Sequence, residues 1–299
     1  RLVGSEMCIR DRLTVAHHDV IVVAHGRPGP AQWQLAAATG ARSIIELPTQ
    51  RAELSDLVAI APPRRSVTVG IVPAIGGAGA STLAVALAAH SAKCGLRTAL
   101  VDCAGYPGGL DVLAGLESLP GARWPQLTGS SADGTPAPIA APDSLLVISG
   151  DVKDPRVMCD EDISVVEALR GSMDVVVLDL PVVPTRATST LLELCDYTVV
   201  VTVNTVRATA ASARRCRDAS HSATGIAVRM MPGARLDAMS VAQSAGCALW
   251  ATLPTDARVV EQIEQGLGPA AINLGGYTRA LAHLAHRVLP DVGQLGAAA

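Results

Sequence analysis

The residues best suited to chemistry lie in one stretch, Pro73-Ala74-Ile75-Gly76-Gly77-Ala78-Gly79-Ala80-Ser81-Thr82. It follows an apolar run, Val67–Val72, and leads straight into a helical pattern over Ser81–Ala92. A glycine-rich turn entering a helix aims several backbone N–H groups at one point, where the helix dipole also favours an anion. That is a cradle for phosphate. The hydroxyls of Ser81 and Thr82 stand where such loops place one hydroxyl on Mg²⁺ and another on a phosphate oxygen. Two carboxylates extend the constellation: Asp102 closes Leu100-Val101, and Asp179 closes Val175–Leu178. Both sit at the carboxyl end of an apolar strand, where ligands bind in open α/β sheets. Each feature has a plain alternative, a turn that binds nothing or an Asp that caps a helix. Three of them in this order are much less ordinary.

The loop also lacks something. In the pattern G-x-x-x-x-G-K-[ST] the lysine reaches the β- and γ-phosphates. Here Ala74 takes the leading glycine position and Ala80 the lysine position. Of 24 basic residues only Lys93 and Lys153 are lysines, so the charge that usually accompanies such a loop is missing locally.

The elements that must position these groups follow from periodicity. Before the loop the pattern predicts strand Val20–Val23, helix Pro30–Thr39, strand Ser43–Leu47 and helix Gln50–Ile60. Ala61-Pro62-Pro63-Arg64-Arg65 then reads as a linker, since consecutive prolines cannot continue a helix. After the loop come strand Thr98–Asp102, a short helix near Asp111–Leu116, and a surface excursion over Gly121–Pro142 that is rich in Gly, Ser, Pro and Ala. Strands are then expected at Leu145–Ser149, Val175–Asp179, Thr198–Val203, Gly225–Arg229 and Ala248–Thr252. Helices are expected at Glu161–Gly171, Thr185–Leu194, Val206–Ala219, Asp237–Ser244, Asp256–Gln265 and Tyr277–Val288. Apolar strands alternating with helices predict an α/β fold, a doubly wound, mostly parallel sheet.

Composition narrows the classes. The chain has 299 residues, 49% hydrophobic and 17% charged, which excludes a disordered polymer. No apolar run approaches the roughly 18 residues of a membrane span. A net charge of −3 gives no global basic field, so strong nucleic-acid binding is not expected. Seven cysteines, an odd number with no CxxC pair, indicate neither a disulfide framework nor a zinc site and suggest a reducing, cytoplasmic setting. Arg207, Arg214 and Arg217 approach one helix face, the ordinary reading of which is a solvated surface. His283 and His286 lack an evident third ligand and read as polar positions on a packing helix.

Glu6–Arg12, EMCIRDR, resembles the translation of a transposon-end sequencing adapter, so residues 1–12 are expected to be non-native and the natural chain to begin upstream.

With these motifs in hand, the chain resembles a family. Ile75–Thr82, Asp102–Glu117 (DCAGYPGGLDVLAGLE) and Val175–Pro181 (VVVLDLP) look like the deviant Walker P-loop ATPases of the MinD/ParA superfamily. Gly76–Leu83 (GGAGASTL), Gly108-Gly109-Leu110-Asp111 and Ala122-Arg123-Trp124-Pro125 resemble its CpaE/TadZ branch, and within that the septum site-determining (Ssd) group. The resemblance covers about Ser66 to Val292. It implies a nucleotide-binding domain over 66–292 with a tail at 293–299, preceded by a partial pseudo-receiver segment over 13–60 and the linker 61–65. In place of the lysine a working receiver carries before its proline stands Leu47.

Carried over by position, the resemblance implies ATP or ADP with Mg²⁺ held by Gly76, Gly77, Ala78, Gly79, Ala80, Ser81 and Thr82, with Asp102 and Asp179 as acids and Ser81, Asp102 and Asp179 toward the metal. The departures are Ile75 for the signature lysine, Ala80 for the P-loop lysine and Ala104 for the second acid of DxD. Val228-Arg229 stands where the superfamily ends a strand in an adenine-contacting Asn. These imply binding with weak or no ATP hydrolysis. The implied partners are proteins of the division or pilus-secretion machinery, with a homodimer possible. A slow ATPase driving partition or polar localisation, and a DNA-binding partition protein, remain open as alternatives.

Overall fold

The computed structural model describes residues 21–39, 41–51, 53, 66–105, 108–127, 137–151, 158–268 and 275–289. The adapter-like segment 1–12, most of the expected helix Gln50–Ile60, the linker 61–65 and the tail 293–299 lie outside the described residues. The chain divides into a smaller N-terminal unit and a larger one, Arg65–Pro290.

In the smaller unit β1 (Ile21–His25) and β2 (Ser43–Leu47) pair in parallel, with α1 (Pro30–Thr39) as the crossover. Two parallel strands need such a crossover, and a helix supplies it. Val22, Ala24, Ala36 and Ile45 are its buried apolar residues.

The larger unit is built on β3 (Val67–Pro73), β4 (Thr98–Asp102), β5 (Ile139–Ala141), β6 (Leu145–Ile148), β7 (Val175–Asp179), β8 (Tyr197–Val203), β9 (Ala223–Met230) and β10 (Ala248–Pro254). They form one sheet in the order β10-β9-β8-β3-β7-β4-β6-β5. Every pairing is parallel except β5 with β6. The helices are α2 (Ala80–Lys93), α3 (Leu110–Ala114), α4 (Trp124–Leu127), α5 (Ile163–Ser172), α6 (Arg186–Glu193), α7 (Val206–Asp218), α8 (Ala238–Ala245), α9 (Ala257–Glu264) and α10 (Gly275–Val288).

All five positions of β7 are buried, as both faces of a central strand must be when helices cover them. Val176 and Leu178 point into a cluster with Val101, Leu180, Leu191 and Trp124. On α2, ten of fourteen residues are buried, so it is a central helix covered nearly all round, not an amphipathic surface one. Its alanines let it lie close to β4 and β7, while α10 packs on it from outside. At Gly225 the Trp250 ring occupies the place of a Cβ, so β9 and β10 can pair there only around glycine.

The excursion expected over Gly121–Pro142 is corrected at both ends. Ala122, Trp124, Leu127 and Ile139 are buried, α4 forms inside it, and β5 adds an antiparallel edge to the sheet. A one-turn helix and a three-residue strand are too short to carry a periodic signal. Elsewhere the expected strands and helices form with ends shifted by one or two residues. Thr185 and Asp237 lie just outside α6 and α8 as caps, each accepting a backbone N–H at N3, from Thr188 and Ser240. No helix among the described residues is long and apolar enough to cross a membrane.

Candidate functional site

The loop between β3 and α2 turns on Gly77 (φ +72°) and Gly79 (φ +98°), left-handed conformations that side chains disfavour. Gly76 and Gly77 are exposed, whereas Ala78 and Ala80 are buried beneath them. The N–H of Leu83 bonds back to the Gly79 carbonyl at 3.0 Å, closing the first helical turn. The N–H groups of Ala80, Ser81 and Thr82 precede that bond and belong to the set a helix leaves without intrahelical partners.

The two acids come together beside the loop. Asp102 and Asp179 are partners in the parallel register of β4 and β7, and both are buried. The Cys103 N–H, donating to the Asp179 carbonyl at 3.0 Å, holds the strand ends in place. Their carboxylates differ in their partners. Asp102 Oδ1 accepts the N–H groups of Ala104 (3.1 Å) and Gly105 (3.3 Å), and Oδ2 accepts that of Gly150 (3.1 Å). Burial pushes the Asp102 carboxyl above the usual range, with these N–H groups opposing it. The Ser81 side chain lies close enough to the Asp179 carboxyl to favour its charged form. Burial pushes Asp179 up to about 7, with the Asp102 charge adding and Ser81 opposing.

Among the candidate residues, the fold therefore collects the loop Gly76–Thr82 with Asp102 and Asp179. Asp102 is fastened to backbone through both oxygens; Asp179 has the Ser81 side chain, at the start of α2, close beside it. Free N–H groups, a hydroxyl and two carboxylates fit a phosphate with a hard divalent cation. No group of three or more His, Cys, Asp or Glu side chains suited to a metal occurs among the described residues.

Three side-chain contacts around the site are not foreshadowed by sequence spacing. Asp111 Oδ2 accepts Arg123 Nη2 at 2.6 Å and Nε at 2.9 Å, while its Oδ1 accepts the Ser149 hydroxyl at 2.7 Å. The motifs around Gly109 and Arg123 are thus two halves of one ionic clamp. Trp124 Nε1 donates to the Asp102 carbonyl at 2.5 Å, tying the second half to the strand end that carries the acid. Finally, Arg229 at the end of β9 donates from Nη2 to the Gly77 carbonyl at 2.7 Å. Its position showed in sequence only as a departure from Asn; nothing local indicated that it reaches the loop.

The arginines of α7 resolve differently. Arg215 donates to the Val182 carbonyl and pairs with Asp218 at 3.5 Å. With Arg214, Leu180, Pro181, Thr188 and His221 it lines a cavity of about 300 Å³ between α6 and α7 that includes no residue of the loop.

Against curated proteins, the chain is 33% identical over 275 residues to Rv3660c of Mycobacterium tuberculosis, covering 88% of this chain and 77% of that protein. The chain belongs to the Rv3660c family. The model of the Rv3660c-like, CheY-like N-terminal domain matches residues 3–69, so the parallel β1–α1–β2 unit is part of a CheY-like domain. For the rest of this Rv3660c-family chain, solved structures share the MinD/ParA fold at low identity. The ParA family ATPase of Chlorobium tepidum superposes with a TM-score of 0.63 at 16% identity, covering 75% of this chain and 98% of its own. The septum site-determining protein MinD of Pyrococcus horikoshii, complexed with Mg-ADP, gives 0.60 at 16%, covering 78% and 99%. MinD in the MinC:MinD cell division complex of Aquifex aeolicus gives 0.60 at 17%, covering 74% and 95%.

Proposed function

We propose that this chain binds ADP or ATP with Mg²⁺ at the β3–α2 loop, hydrolyses ATP weakly or not at all, and acts by contact with protein partners. The observation that carries the reading is the Ser81–Asp179 pair at the start of α2, with Asp102 in register beside it. Backbone N–H groups of Gly76–Thr82 would hold the phosphates; Ser81 and Asp179, with Asp102 behind, would hold the metal. When bound, Mg²⁺ offsets phosphate charge. The chain itself supplies neither a lysine at positions 75 and 80 nor an acid at 104, so the groups that lower a phosphoryl-transfer barrier are missing while the cradle persists.

The likeness to cell-division and partition ATPases supports a setting of that kind. We place the chain in the cytoplasm, in the CpaE/TadZ-like and septum site-determining (Ssd) group, in septum-site regulation or in positioning of a polar pilus-secretion machine. A MinD that binds MinC offers the precedent for a protein partner, and a homodimer is compatible with the fold. The exposed Trp33 on α1 suits a CheY-like segment used for docking. Titration of the purified chain with Mg-ADP by calorimetry tests the reading: saturable binding with negligible ATP turnover is expected. Sustained turnover would favour the slow-ATPase alternative, and a salt-sensitive shift of DNA would favour the partition reading.

A further inference from the structure

We propose that Arg229 supplies, from the far end of β9, the phosphate-directed positive charge that the β3–α2 loop lacks in its own sequence. This rests on the nucleotide reading above and adds to it the residue that neutralises the ligand.

The loop offers N–H dipoles and no cation. Ala80 and Ile75 are apolar, and Lys93 stands at the opposite end of α2, about 20 Å away at 1.5 Å rise per residue. Strand order brings in the replacement. β9 lies two places from β3, with β8 between, and its register puts Arg229 opposite Val203 at the carboxyl edge of the sheet. From there the side chain runs back to the loop. Nη2 donates to the Gly77 carbonyl at 2.7 Å, and Cδ and Nε lie 3.8 Å from the place a Cβ would take on Gly79, the residue that opens α2.

Two features point to an anion. Arg229 Nε is buried and makes no hydrogen bond, and buried donors in folded proteins are nearly always satisfied. Nor does any carboxylate among the described residues pair with the guanidinium. A guanidinium carries five donors in a fixed fork, keeps its charge at any working pH and matches phosphate oxygens in pairs. With one donor anchoring it to Gly77, the rest of the fork is held against the turn whose N–H groups face the same ligand. The cation is thereby tied to the cradle by a backbone contact, whereas a P-loop lysine reaches its phosphates from inside the loop.

The test is calorimetric titration of the full chain with Mg-ADP and, separately, with inorganic pyrophosphate, for wild type, Arg229→Gln, Arg229→Lys and the double variant Ala80→Lys/Arg229→Gln. Arg229→Gln should weaken both ligands at least tenfold at an unchanged melting temperature. Arg229→Lys, which keeps the charge but loses the anchored fork, should bind between wild type and Arg229→Gln, and the added Ala80→Lys should recover most of the loss by returning a cation from the other side. Wild-type affinity should fall as NaCl rises from about 50 to about 300 mM, a range over which screening shortens markedly. If wild type binds and Arg229→Gln binds equally well, this inference is overturned while the nucleotide reading stands. If neither wild type nor the double variant Ala80→Lys/Arg229→Gln binds either probe, the nucleotide reading falls and this inference with it. Should Arg229→Gln fail to fold, a salt-independent wild-type affinity would overturn the proposal.

Discussion

Asp102 and Asp179 stand side by side at the carboxyl ends of β4 and β7, register partners in a parallel pair, yet one is bonded to three backbone N–H groups and the other has the Ser81 side chain beside it. Neighbouring acids in a buried place cannot both carry charge cheaply. Burial pushes Asp179 up to about 7, with Ser81 opposing and the Asp102 charge adding, while Asp102 has N–H groups that favour its ionised form against its own burial.

This relationship makes stability depend on pH. The folded Asp179 keeps its proton up to about 7, whereas in the unfolded chain it loses it near its ordinary 3.8. Between these values the native state binds more protons, so in metal-free buffer stability falls as pH rises from about 4 to about 7 and levels off above. The span is up to about 4 kcal/mol for a shift of this size. Urea melts across the range should show the decline, and Asp179→Asn should flatten it and be more stable than wild type at pH 8. A stability that climbs through this window would refute the assignment.

Leu178 is fully buried in β7, within the cluster that includes Val101, Leu180 and Leu191. Leu178→Ala should cost about 2–5 kcal/mol through lost transfer energy and the cavity left behind. Chemical denaturation measures it, and a near-neutral result would contradict a strand covered on both faces.

The Asp111–Arg123 clamp is a second stability test. Asp111 keeps 4% of its side chain exposed against 21% for Arg123. Removing the arginine strands a buried carboxylate, so Arg123→Ala should cost about 3 kcal/mol, while Arg123→Ala/Asp111→Ala should cost less than the two single changes together. Additive losses in urea titrations would mean that the pair is not coupled.

If catalysis is missing by residue loss, it can be returned. Ala80→Lys should tighten Mg-ADP binding, since a lysine there reaches the β- and γ-phosphates. Adding Ala104→Asp and Ile75→Lys should then lift ATP turnover above background in a phosphate-release assay. Turnover by the unmodified chain equal to that of the triple variant would count against the degenerate-enzyme reading.

The sequence by itself determined the local parts. Continuous apolar runs such as Val175–Leu178 predict buried strands, helical spacing predicts most helices to within a residue or two, and the glycines before a helical run predict the turn that forms there at Gly77 and Gly79. These are properties of neighbours in the chain, set by period, punctuation and capping, so they are legible without the fold. The short pieces were not: β5 and α4 are held by contacts to β6 and to the buried cluster, not by any pattern of their own.

Only the tertiary structure decided what meets what. That Asp102 lies beside Asp179 depends on β7 inserting between β3 and β4, and that Arg229 reaches Gly77 depends on β9 lying two strands from β3. Strand order is chosen by long-range burial and by the handedness of crossovers, which act on whole elements and leave no periodic trace in the residues that end up in contact. A single polar residue at a strand end has no period at all; its partner is whatever the sheet delivers.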